Sequence, residues 1–94
     1  MSQPPIERPF RPRARDVTVD GVPWIARMSD KAKAFAGGYI DEYIYPCPID
    51  RRVLAQLQLS SEDFIQLAVE AASDEQLAED VRSHVAELRK AQVA

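Results

Sequence analysis

The 94-residue sequence predicts a mainly α protein: a compact bundle of about four short helices carrying an extended, proline- and arginine-rich N-terminal arm. Three observations carry that prediction. Apolar residues recur at helical spacing in successive segments from Trp24 onward. Helix stop and start signals separate those segments: Gly37-Gly38, Ser60-Ser61-Glu62-Asp63 and Ser73-Asp74-Glu75. Four of the seven prolines crowd into residues 1–16, where they remove backbone donors and forbid helix. The length allows one domain, divided here into an arm, 1–16, and a helical body, 17–94.

Each element follows from local chemistry. Val17-Thr18-Val19, Asp20-Gly21 and Val22 read as a small β-hairpin, with Pro23 confining its second strand to an edge. Trp24, Ile25, Met28, Ala32 and Phe35 fall within ~100° on a helical wheel, so a helix covers 24–36. It starts either with Pro23 in its first turn or with Ser29 as its cap. In 39–44 the period-3.6 reading separates Tyr39, Ile40, Tyr43 and Ile44 from Asp41 and Glu42, which favours a helical turn or two. Pro46 and Pro48 then hold Tyr45 and Cys47 extended. Asp50 is expected to cap the next helix, with stripe Val53, Leu54 and Leu57. The third helix buries Phe64, Ile65, Ala68, Val69 and Ala72, and the last buries Leu77, Val81, Val85 and Leu88.

Charge is unevenly distributed. Residues 1–16 carry a net +2, residues 17–60 are neutral, and residues 61–94 carry −5, for a total of −3. An acidic body argues against wrapping nucleic acid, although the four arginines of the arm could touch phosphate; a solvated arm is the simpler expectation. No stretch approaches the roughly 20 apolar residues of a membrane-spanning helix, so no membrane role is expected. A single cysteine and the lack of an apolar leader point to the cytoplasm.

Few residues could carry chemistry. Three glycines provide no phosphate-cradling loop, and one histidine provides no zinc-protease motif, so no cofactor or metal is expected. His84, with Asp80 and Glu87 on one side of its helix, reads as an edge ion pair rather than a metal set. Cys47 lies between two prolines just before a helix, which makes it the candidate nucleophile, or else a small buried hydrophobe. Arg27 and Lys31 are four apart and gain from a carboxylate between them, for which Asp41 or Glu42 is the expected source.

The runs Trp24 to Ala32, Gly38 to Tyr45, Cys47-Pro48-Ile49-Asp50 and Leu59 to Phe64 resemble a family of small bacterial proteins known only as a domain of unknown function. The resemblance covers about residues 22–82 and implies no activity. It directs attention to Arg27, Asp30, Lys31, Glu42, Tyr43, Cys47 and Asp50 as binding-site candidates. The expected function is a non-catalytic binding or protein-interaction module. Its site would lie between the 24–36 helix and the 39–50 segment and accept a small molecule or a protein partner. The alternatives are a thiol-dependent enzyme or redox sensor using Cys47, and nucleic-acid contact through the arm. Exchange of that arm offers a route to a homodimer.

Overall fold

The computed structural model describes residues 10–93, so the extended chain expected at 1–9, with Arg8, lies outside the described residues. A two-stranded hairpin, β1 (Thr18–Val19) and β2 (Val22–Pro23), precedes four helices. These are α1 (Ile25–Gly37), α2 (Pro48–Leu57), α3 (Ser61–Glu70) and α4 (Asp74–Val93). The predicted helical fold class and the small hairpin are both present. In the hairpin Val19 pairs with Val22, and Asp20 and Gly21 both take positive φ (56° and 76°), as a tight two-residue hairpin turn demands.

α1 begins at neither of the expected places. Trp24 is its N-cap at φ 80°, and the Trp24 carbonyl accepts the N–H of Met28 at 2.9 Å. Ser29 sits a turn inside, fully buried, with its hydroxyl unpartnered. A left-handed tryptophan is strained. Bonds at both ends hold it: its N–H to the Arg15 carbonyl at 3.0 Å, and its indole to Asp50 at 2.7 Å. Gly38, at φ 78°, ends α1, and the Tyr39 N–H reaches back to the Ala34 carbonyl at 2.9 Å. Ser60 and Ser73 cap α3 and α4 by accepting the N–H of Asp63 and of Gln76.

Segment 39–44 is not helical. Asp41 takes φ 58°, and the Tyr43 N–H closes on the Ile40 carbonyl at 3.2 Å, so a turn stands where helical turns were expected. A left-handed residue at Asp41 breaks any helix through it. α4 is longer than the short helix expected, at 20 residues. Ile25, Ala26, Met28, Ala32, Leu54, Leu59, Phe64, Ala68, Leu77 and Val81 form the core, with Val19 of the hairpin and Tyr45. The Tyr45 hydroxyl donates to the Ser61 carbonyl at 2.8 Å, and burial pushes its phenol above the usual range. Phe35 and Val69 belong to predicted stripes yet stay about half exposed.

The described end of the arm is docked, not solvated. The Arg13 backbone N–H and its Nε donate to Asp30 Oδ2 at 2.8 and 3.0 Å. Its Nη1 and Nη2 meet Asp74 at 2.6 and 3.1 Å. One guanidinium thereby joins the arm, α1 and the start of α4. Hydrogen bonds to Asp74 and then to Asp30 raise the Arg13 guanidinium above its usual value, and the same bond from Arg13 holds Asp74 below the usual carboxylate range. A depressed folded value means the bond stabilises fully above the unfolded carboxylate value of about 3.9 and is lost as pH falls through the lower folded one. Asp74→Asn is therefore expected to lower stability by about 1 kcal/mol at neutral pH, a figure reduced for the partial exposure of both groups. Urea titrations of both proteins should converge as pH drops below that carboxylate value; a gap unchanged down to strongly acid pH contradicts the assignment.

Candidate functional site

The elbow between α1 and α2 gathers three of the sequence candidates. Cys47, extended at φ −83° and ψ 173°, is the N-cap of α2, and Pro48 is its first residue. Asp50 was expected in the capping position and instead sits three residues in, closing a capping box. Its carboxylate accepts the Cys47 N–H at 2.9 Å, while the Cys47 sulfur accepts the Asp50 N–H at 3.4 Å. The reason is Pro48: lacking an N–H, it is at home in the first turn and moves the helix start two residues ahead of Asp50.

Lys31 of α1 enters this elbow. Its ammonium lies 2.8 Å from Asp50 Oδ2, 3.1 Å from the Ile44 carbonyl and 3.4 Å from the Cys47 sulfur. Three acceptors match its three protons. Asp50 accepts the Trp24 indole through Oδ1 and the ammonium and Cys47 N–H through Oδ2. The Lys31 side chain is 4% exposed and that of Asp50 0%. The carboxylate beside Lys31 thus comes from Asp50, and not from Asp41 or Glu42. Two charges so deeply buried are tolerated only because each hydrogen-bonding position is filled. The elbow therefore acts as a joint between α1 and α2. A hollow of about 240 Å³ beside it is lined by Pro46, Arg51, Leu54, Ala55, Leu59 and Ser61, not by Cys47 or Asp50.

The other candidates go elsewhere. Arg27 donates to the Arg13 carbonyl at 3.2 Å and lies over the rings of Trp24 and Tyr43, at 5.6 and 5.7 Å. Asp30 holds Arg13. Tyr43 and the exposed Glu42 line a hollow of about 510 Å³ with Phe10, Arg11 and Asp41. Phe10 meets Tyr39 and Tyr43 edge to face at 5.6 and 5.5 Å, and its N–H donates to Asp41 at 3.0 Å. His84 faces Asp63 of α3 at 3.8 Å, while Asp80 accepts from Gln76. Among the described residues no three His, Cys, Asp or Glu side chains are grouped to hold a metal ion, and no helix is long and apolar enough to cross a membrane.

Residues 10–94 match the family described as "Domain of unknown function (DUF5069)". The chain belongs to that family. The match starts at Phe10, so the docked residues 10–16 fall inside the DUF5069 domain together with the helices. No curated protein and no solved structure matches the chain.

Sequence reasoning did not single out Phe10, Arg13 or the Trp24 indole as members of these contacts. Two signals were present. An aromatic residue in a polar arm is wasted unless it docks, and a tryptophan at the edge of a core needs an acceptor for its N–H. Nothing local ties Arg13 to Asp74, 61 positions away. Removing either member of the buried pair strands the other: Asp50→Ala and Lys31→Met are each expected to cost about 3–5 kcal/mol. Chemical denaturation of both variants checks this, and a loss below about 1 kcal/mol, the scale of a surface pair, contradicts it.

Proposed function

We propose that this DUF5069 domain is a non-catalytic binding module that docks a partner where the arm meets the 41–43 turn, on the outer side of the joint between α1 and the 39–50 segment. The supporting observation is the hollow at Phe10, Arg11, Asp41, Glu42 and Tyr43, whose volume of about 510 Å³ lies in the range of ligand-sized pockets. Its wall mixes aromatic rings with charges of both signs, a composition suited to recognising a polar peptide segment or a small polar molecule. Tyr39 is half exposed beside it and extends the aromatic surface. The elbow behind it favours binding over catalysis: the Lys31 protons and both Asp50 oxygens are already engaged within the fold. Arg13, spent on two carboxylates, offers little to a nucleic-acid phosphate.

Two-dimensional NMR of the nitrogen-labelled chain against a library of small polar fragments tests the proposal. Binders are expected to shift the amides of Phe10, Arg11 and Asp41 through Tyr43, and Tyr43→Ala should weaken them about tenfold. Binders that shift a different surface, or that tolerate Tyr43→Ala, contradict it.

One distance favours a second reading, a thiol redox sensor: the Lys31 ammonium is 3.4 Å from the sulfur of the half-buried Cys47. A sensor requires hydrogen peroxide to oxidise Cys47 in the folded chain faster than in the unfolded chain. Equal or slower oxidation, followed by mass spectrometry, removes this reading and is what the binding proposal expects.

A further inference from the structure

The apolar stripe of α4 outruns its cover. Leu77 and Val81 are buried against the body, whereas Val85 and Leu88, next on the same stripe, are only half buried. α4 packs mainly against α3 and β1. Between the end of α2 and α4 an open groove of about 460 Å³ remains, lined by Gln56 and Leu57 on one side and Val81, Arg82, Val85, Ala86 and Arg89 on the other. Its wall is more apolar than those of the two hollows described above. An open groove with an apolar wall is a surface on which a partner can dock.

We propose that the groove receives α4 of a second copy of this chain, running antiparallel, to form a two-fold homodimer. Two features of α4 select that occupant. The first is spacing. Ala78, Val81, Val85 and Leu88 are separated by three, four and three residues, so the stripe reads the same in both directions. Two such helices crossing at Ser83 set Val81 against the partner's Val85 and Ala78 against the partner's Leu88. A two-fold interface requires that self-complementarity. The second is charge. The first part of α4 carries Asp74, Glu75, Glu79 and Asp80, while the remainder carries Arg82, Arg89 and Lys90 against Glu87 alone. In the antiparallel pair Arg89 falls level with the partner's Leu77, within a turn of the exposed Glu75 and Glu79. A helix dipole favours the same order of charges within one chain. It gives no reason for the apolar stripe to continue into the basic half, which the pairing does. Arg82, at the edge of the groove, is held to Asp20 of its own hairpin.

This dimer differs from one built by arm exchange. Arg13 already makes its bonds to Asp30 and Asp74 within one chain, and α4 pairing leaves them untouched. Sedimentation equilibrium of the full chain across the micromolar to millimolar range tests the proposal. The wild type is expected to dimerise, and Val85→Glu, at a half-exposed position, should be monomeric with unchanged helical circular dichroism. Arg89→Glu alone and Glu79→Arg alone should each weaken dimerisation about tenfold through repulsion between like charges. An equimolar mixture of those two variants restores both cross-pairs, and should associate as tightly as the wild type. A wild type that stays monomeric throughout, a dimer indifferent to Val85→Glu, or a mixture no tighter than its components overturns the proposal.

Discussion

The fold turns on one buried ion pair. Lys31 comes from the middle of α1 and Asp50 from the first turn of α2, and they meet at 2.8 Å with almost no access to water. Burying the pair is expensive, and its mutual attraction repays the cost only if every remaining donor and acceptor is matched. Here they are. The Ile44 carbonyl and the Cys47 sulfur take the spare ammonium protons, and the Trp24 indole and the Cys47 N–H take the spare carboxylate lone pairs. Five residues from three parts of the chain are thereby fixed to one another. The strained backbone of Trp24, the course of the 39–46 turns and the starting angle of α2 all depend on the pair. Its contribution is better understood as specificity than as strength, since a hydrophobic pair could fill the space but would not specify which segments meet.

That dependence explains what could and could not be read in advance. Local rules placed the Asp20-Gly21 hairpin turn, the Gly38 stop of α1 and the serine caps of α3 and α4, because each is decided by one or two residues and a backbone hydrogen bond. They misplaced the start of α1, since a tryptophan in a left-handed cap is stable only with a carboxylate from 26 positions away. They misjudged 39–44 for a similar reason. Its spacing fits a helix, but the Lys31 ammonium claims the Ile44 carbonyl and the arm claims Asp41. At the elbow the right residues were singled out with their roles displaced: Cys47 stands in the capping position and Asp50 closes the box behind it. Arg13 escaped notice because its value lies wholly in bonds to residues 17 and 61 positions away.

Apart from Asp30, which holds Arg13, the site candidates consequently separate into two groups with different work. Lys31, Cys47 and Asp50 form the inner joint, where polar groups answer one another. Glu42 and Tyr43, joined by Phe10 and Arg11 from the arm, face outward on the turn that the joint positions, and Arg27 of α1 lies over the Tyr43 ring. A rigid support beneath an irregular, aromatic and charged loop is how many folds present a recognition surface. The proposed docking role of that loop and the proposed pairing of α4 use different surfaces of the domain, so one can stand without the other.

The measurement that bears most directly on the central claim is native-state hydrogen exchange at the Trp24 indole N–H and the Cys47 amide. Both protons point at Asp50, and neither belongs to the regular hydrogen bonding of a helix or a strand. If the ion pair is the joint that holds the fold together, these two protons exchange only when the whole domain unfolds, with the same free energy of opening as the amides of Met28 and Phe64 in the core. Exchange at the pace of an ordinary surface loop, while the core amides stay protected, would show that the helices hold together without the joint and would contradict the account.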